Sequence, residues 1–359
     1  MTASYDDDRA DDLQPDSEFH DSLSAGDDHD LPPVEPPSAG FIVQLFVVPA
    51  IIVTVVISVY LLFGRMASSE VDWRQLVTDV RSDNPHVKWR GALNLAQVLD
   101  ADELRGGSSQ RLAANREIAT ALTDLYTETL SSSPRNDEQA KQLEFLSKAL
   151  GRLDAHDVVL PVLRNSLDET YERHVRKNAM IALAMIAGRA VEQGRPLREP
   201  GLVDDVIDLS RESDLIFRHQ AAFTLGLLPG DKPKQRLQEL LGDADEMTSL
   251  NAAIALTRNG STAGLRVFEK VFRNAADEPL DPAAVSNDDE ANHHFETVLM
   301  LTNSFRAIGR LRDALNDEQR ARLVSVIEPI AENAGDTAVR MDAKNLMLEL
   351  QADAATSAD

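Results

Sequence analysis

The chain contains no cysteine. Disulfides, thiolate nucleophiles, iron–sulfur clusters and cysteine-ligated zinc are therefore excluded together. Aromatic residues make up only 5% of the 359 residues, against a hydrophobic fraction of 43%. A core drawn from that supply rests on Ala, Leu, Val and Ile, which suits closely packed helices better than an aromatic-rich sandwich. Sequence signatures of catalysis are missing as well. No glycine-rich phosphate loop, Gly-x-Ser-x-Gly elbow or His-Glu-x-x-His occurs.

Positive charge is scarce, with 36 Lys and Arg against 60 Asp and Glu, a net of −24. Residues 1–40 account for −11 of this, because twelve carboxylates stand there against Arg9 alone, which leaves −13 for the rest. Such acidity disfavours non-specific binding to nucleic acid or anionic lipid heads. The 1–40 tail carries Pro32, Pro33, Pro36 and Pro37 and no apolar periodicity, so it reads as disordered.

A long uncharged run follows. Phe41 to Phe63 is 23 residues, of which 17 are Phe, Ile, Leu or Val. As a helix it is about 34 Å long, enough to cross a hydrocarbon core of about 30 Å. At about −0.4 kcal/mol per strong apolar residue it gains about −7 kcal/mol before Gln44, Thr54 and Ser58 count against it. A cleaved signal peptide begins near the N-terminus with basic residues, whereas this run starts at residue 41 behind an acidic tail. The expectation is one transmembrane helix over 41–63, with a linker at 64–70. Arg65, Arg74 and Arg81 follow the run and no base precedes it closely. The positive-inside rule then puts the C-terminal part in the cytoplasm.

From 71 to 351 the pattern is helical, with short polar breaks and a recurring phrase of ten residues. The phrase has an apolar first place, often a base at the second, a small or apolar fifth, an apolar ninth and usually a small tenth. Clear copies start at Val87, Val175, Phe217 and Val339, and weaker ones at Gln142, Thr248 and Met300. Successive starts lie 55, 33, 42, 31, 52 and 39 residues apart. Places one, five, eight, nine and twelve form one apolar stripe on a helix. Asn84-Pro85, Asp214, Asp245 and Asp336 stand where N-terminal caps belong. A second amphipathic run precedes each phrase, for instance Ile118–Leu130 and Arg322–Ala331. The unit is a helical hairpin, about seven times in tandem, and residues 352–359 read as a disordered end. A hairpin of this size cannot bury its own apolar face and must stack on its neighbours.

The Val-Arg-x-x-Ala-x-x-x-Leu-Gly phrase resembles the HEAT repeat, specifically the short HEAT-like repeats of phycobilisome lyases. The resemblance covers about 280 residues. It departs at Gln142 and Met300, which lack the apolar-basic opening, and at the spacings of 55 and 52, which imply inserted loops. The resemblance implies an all-α fold, an α-solenoid, with partners bound along its surface. The alternative it suggests is an enzyme or enzyme subunit, such as a chromophore-lyase-like factor.

Candidate sites are few. His293 and Glu296 share a helix face at metal-ligand spacing, yet they read better as a solvated helix start after the acidic 277–290 loop. His174 and His219 open different phrases without a third group. The 188–201 loop places Arg189, Arg195 and Arg198 near Arg173, Arg176 and Lys177, the one notable basic cluster, with Glu192 and Glu199 to balance it. The fourth place of the phrase is Asn178, Gln220, Asn251, Asn303 and Asp342 in the last five copies. It lies about 80° from the stripe centre at 100° per residue, so these groups form a polar row able to donate to and accept from an extended peptide. The reading is a membrane-tethered scaffold for a protein or peptide partner, without catalysis, cofactor, metal or nucleic acid.

Overall fold

The computed structural model describes residues 51, 53–59, 72–106, 110–132 and 136–356. Most of the apolar run 41–63 lies outside them. Residues 51 and 53–59 are helical and exposed, and no helix among the described residues is long and apolar enough to cross a membrane. The 1–40 tail and the 64–70 linker also lie outside the described residues. The chain divides into two units, Met1–Glu70 and Val71–Asp359.

The described residues contain no strand, and Val71–Asp359 is built from α-helices that pair along the chain. The pairs are α1 (Trp73–Val80) with α2 (Pro85–Leu104), α3 (Arg116–Ser131) with α4 (Asp137–Leu150), and α5 (His156–Asn165) with α6 (Arg173–Glu192). Next come α7 (Leu202–Leu209) with α8 (Leu215–Leu225), and α9 (Asp231–Leu240) with α10 (Glu246–Thr257). Then α11 (Leu265–Ala276) pairs with α12 (Asp288–Leu311), and α13 (Asp317–Asn333) with α14 (Thr337–Thr356). Every copy of the phrase lies on the second helix of a pair.

Caps fix where these helices begin. Asn84 accepts from the His86 amide at 3.0 Å, Asp214 from Ile216 at 3.0 Å and Asp245 from Thr248 at 2.7 Å. Asp336 accepts from the amides of Ala338 and Val339 in the same way. The phrase then buries its stripe. On α6 the residues at places one, five, eight, nine and twelve, Val175, Ala179, Ala182, Leu183 and Ile186, are buried, as are Phe217, Ala221, Thr224, Leu225 and Leu228 of α8 and the loop after it. Fully burying one such Leu or Ile contributes about 1.5–3 kcal/mol, while the alanines let the helices approach closely.

Stacking runs in two layers. Second helices pack in series, α4 on α6, α6 on α8, α8 on α10, α10 on α12 and α12 on α14. First helices form the other layer, where α1 meets α3, α3 meets α5, α7 meets α9 and α11 meets α13. This is an α-solenoid. Its buried side chains fall into two clusters, and α10 belongs to both. Ala252, Ala255 and Leu256 join the first, while Leu250 and Ala253 join the second.

The second-place base of the phrase ties neighbouring hairpins together. Arg176 donates from Nε to the Leu167 carbonyl at 2.8 Å and from Nη1 to Glu212 at 3.2 Å, with its guanidinium 4.5 Å from the Phe217 ring centroid. Lys88 reaches Glu128 at 2.8 Å, and Arg218 pairs with Asp243 of the next hairpin at 3.3 Å. Other ion pairs join residues 41 apart, Arg116 to Asp157, Arg164 to Asp205 and Arg173 to Asp214. One step along the solenoid is therefore about one phrase spacing.

Three boundaries differ from the sequence expectation. The final helix runs to Thr356, so the disordered end expected from 352 begins as helix, in keeping with the high helix propensity of Gln351, Ala352, Ala354 and Ala355. Helix α6 continues to Glu192, which shortens the 188–201 loop, and α12 already starts at Asp288. The spacings of 55 and 52 are taken up partly by α2, 20 residues long, and α12, 24 residues long, rather than by loops alone.

Candidate functional site

One side of the second-helix layer carries a groove of about 1050 Å³. It runs from Glu103 of α2, past α6, α8 and α10, to Arg310 of α12. Its floor is apolar, with Ile181, Ala184 and Met185 of α6 and Phe223 of α8 among the lining residues. Phe223 is 42% exposed and Val191 at the edge 40%, a large apolar surface to leave in water. The face responsible is set by the phrase. Its fourth, seventh and eleventh places fall within about 60° of one another at 100° per residue, to one side of the buried stripe. The eleventh places of five consecutive copies, Arg152, Met185, Leu227, Arg258 and Arg310, all line the groove.

Charge in the groove runs against the rest of the chain. Arg152, Arg189, Arg258 and Arg310 line it, against Glu103 and Glu192. Two of these arginines are already engaged. Arg152 pairs with Asp100, and Arg189 donates to the Gly151 and Arg152 carbonyls and pairs with Asp154 at 3.5 Å. The other two form no ion pair among the described residues. Arg258 lies over the Phe223 ring, 4.7 Å from its centroid, with one long donation to the Phe223 carbonyl at 3.5 Å. Burial, and then the nearby Arg310 guanidinium, lower the Arg258 pKa.

No family model matches the chain, and no curated protein does. Solved structures with a similar course include the HEAT-like repeats protein from Thermococcus onnurineus NA1, at 12% identity over 79% of this chain and 98% of that one, with a TM-score of 0.41. The CpcE–CpcF complex of phycocyanin lyase from Nostoc sp. PCC7120 is similar at 14% identity over 78% of this chain and 95% of that one, with a TM-score of 0.37. A designed armadillo repeat protein follows at 18% identity over 70% and 99%, with a TM-score of 0.31. These are likenesses only, and the solenoid described above rests on the chain's own helices and contacts.

The fourth-place row is divided among different surroundings. Gln220 and Asn251 line the groove, where Asn251 donates to the His219 carbonyl at 3.3 Å and Gln220 Oε1 is buried without a hydrogen-bond partner. Asn178 is buried at 8% exposure. Asn303 is half-buried and lines neither cavity, and Asp342 is exposed on a smaller cavity of about 440 Å³ beside Arg306 and Arg310. The row is therefore not one continuous ladder of amides.

The basic cluster is largely committed to structure. Arg173, Arg176 and Arg189 hold neighbouring hairpins as described, and Arg195 donates to Gln193 at 2.6 Å. Lys177 is half-buried and Arg198 exposed, and they remain as its uncommitted members. Elsewhere, His219 meets Asp245 at 2.6 Å, while His174 Nε2 is buried with no partner, so the two histidines do not build one site. Burial works to raise the Asp245 pKa, but hydrogen bonds from Thr248 and His219 leave it below the ordinary value. His293 faces Glu278 at 3.3 Å, and no group of three potential metal ligands occurs among the described residues.

The sequence reading found the fourth place and missed the eleventh. The signal that marks it is bulk and charge outside the buried stripe, with Met185, Arg258 and Arg310 at one register.

Proposed function

We propose that this protein is a membrane-anchored scaffold whose HEAT-like solenoid binds a protein or peptide segment in the groove of its second helices, without catalysis. The observation that carries the reading is the partly exposed apolar floor of that groove, formed by Ile181, Met185 and Val191 of α6 and Phe223 of α8. Exposed apolar surface of this kind, rimmed by charge, is what a partner buries on docking. The anchor is the run 41–63, whose length and lack of charge fit a single span, with the solenoid on the cytoplasmic side by the positive-inside rule. Tethering raises the local concentration of a partner at the bilayer, so a modest affinity suffices.

A photoreactive amino acid at Phe223, compared with one at Gln235 on α9, tests the binding face in cells. The reading expects a discrete crosslinked protein from position 223 and none from 235. Equal labelling from both, or none from either, rejects the groove as the binding face. Extraction of membranes with alkaline carbonate tests the anchor: full-length chain released with peripheral proteins would rule out a span. Protease protection in sealed vesicles reports the side.

A further inference from the structure

Of the four arginines that line the groove, Arg152 and Arg189 meet carboxylates, as do the arginines that tie the hairpins together. Arg116, Arg164, Arg173, Arg176, Arg189 and Arg218 each meet a carboxylate of a neighbouring hairpin or loop. Arg258 and Arg310 do not, although the chain beyond residue 40 carries 13 more negative charges than positive ones. Both occupy the eleventh place of adjacent copies and both line the groove. Arg258 is held in position by Phe223, over whose ring it lies at 4.7 Å, and by the Phe223 carbonyl. Two like charges facing one cavity repel each other, and that repulsion is relieved when an anion sits between them. The remaining hydrogen-bond donors of the two guanidinium groups suit the planar geometry of a carboxylate.

We infer that the groove's partner is a protein segment with an acidic side chain flanked by apolar ones, the carboxylate received by Arg258 and Arg310 and the apolar side chains by Ile181, Met185 and Phe223. This rests on the groove reading above and specifies its partner. The floor supplies burial and the arginine pair supplies orientation, because a carboxylate held at one end of the groove fixes which residues of the segment reach the α6 end. Buried anchors beside charge-assisted hydrogen bonds are the features that dominate binding energy in interfaces. Gln220 and Asn251, between the two halves, are placed to meet the segment's backbone.

The test selects peptides from a random twelve-residue library on the full-length protein. Selected peptides are expected to be rich in Asp or Glu next to Leu, Phe or Met. Their affinity is expected to fall at least about tenfold in Arg258→Gln with Arg310→Gln, since each charge-assisted bond is worth more than a neutral one. Thermal melts by circular dichroism confirm that the variants fold. Arg310→Glu, at an exposed position, serves as a second variant and is expected to shift selection toward basic peptides. Peptides selected without acidic residues, or bound equally by both arginine variants, overturn the carboxylate assignment. If those same peptides are lost on Ala184→Arg, the groove itself still stands. Peptides unaffected by Ala184→Arg, or no selection at all, overturn both readings. Two other occupants are also exposed by the experiment. A synthetic peptide of residues 1–40 that displaces the selected peptides at lower concentration than they bind assigns the site to the chain's own tail. A dimer in sedimentation that Arg310→Glu dissociates assigns it to a second copy. Either result overturns the proposal of a partner protein.

Discussion

Gly226 meets Ala255 so closely that a Cβ on the glycine would stand 2.5 Å from the alanine Cβ and 3.0 Å from its Cα. The glycine is the tenth place of the phrase at Phe217, and the alanine lies on α10, the next second helix. The small tenth place thus sets how near adjacent second helices come, and the obstacle is backbone that cannot swing aside. Gly226→Ala is expected to cost about 1–3 kcal/mol through overpacking. Gly309, inside α12 with nothing within 4 Å of its added Cβ, is the control. Gly309→Ala is expected to be neutral or to stabilise by up to about 1 kcal/mol. Urea unfolding of both variants checks the pair, and a Gly226→Ala protein as stable as wild type would contradict this packing.

Arg176→Met is expected to destabilise by about 3 kcal/mol, the low end for breaking a buried ion pair, because Glu212 keeps 24% of its side chain exposed. The Leu167 carbonyl loses its donor as well. The double-mutant cycle with Glu212→Gln is expected to give a coupling energy above about 1 kcal/mol. Additive effects of the two changes would place Arg176 outside the hairpin tie.

Acid sensitivity is expected at Asp214. Arg173 donates to this carboxylate, which lies at the N-terminus of α8 and accepts from Ile216, and its pKa is lowered from 3.8 to about 2. A folded-state pKa below the unfolded one means that the stabilisation is complete above pH 3.8 and disappears as pH falls through about 2. Asp214→Asn keeps a capping oxygen but loses the charge. The stability gap between wild type and variant is therefore expected to narrow between about pH 4 and 2, read by denaturant titration at several pH values. A gap constant over that range would show that the Arg173 contact does not perturb the carboxylate.

Phe223→Ser separates binding from folding. The ring is 42% exposed, so its removal is expected to cost only about 1–2 kcal/mol of stability. Partner affinity measured by titration calorimetry is expected to fall about tenfold or more, as for a central interface aromatic. A variant that binds as tightly as wild type would remove Phe223 from the interface.

The helical pairs were legible in the sequence because they rest on periodicity. Val175, Ala179, Ala182, Leu183 and Ile186 repeat at helical spacing, and Asp214 or Asp245 announces the next helix from one residue away. The second-place base was legible as part of the phrase, but its role was not, since nothing near Arg176 in sequence names Glu212 or the Leu167 carbonyl as its partners. The groove was half legible. Periodicity shows which face of α8 is buried, but which of the two flanking faces lines a cavity depends on how α6, α8 and α10 stack. That is why the fourth place drew attention and the eleventh, with Arg258 and Arg310, did not.

Each hairpin from α3 to α12 delivers its own eleventh-place side chain to the groove, so the cavity works as a row of exchangeable keys. Swapping Met185 or Arg310 for another residue type changes one tooth and leaves the hidden stripe, the caps and the inter-hairpin ties untouched. Lineages that duplicate or drop a single hairpin would lengthen or shorten the lock by one notch without redesigning the body that carries it.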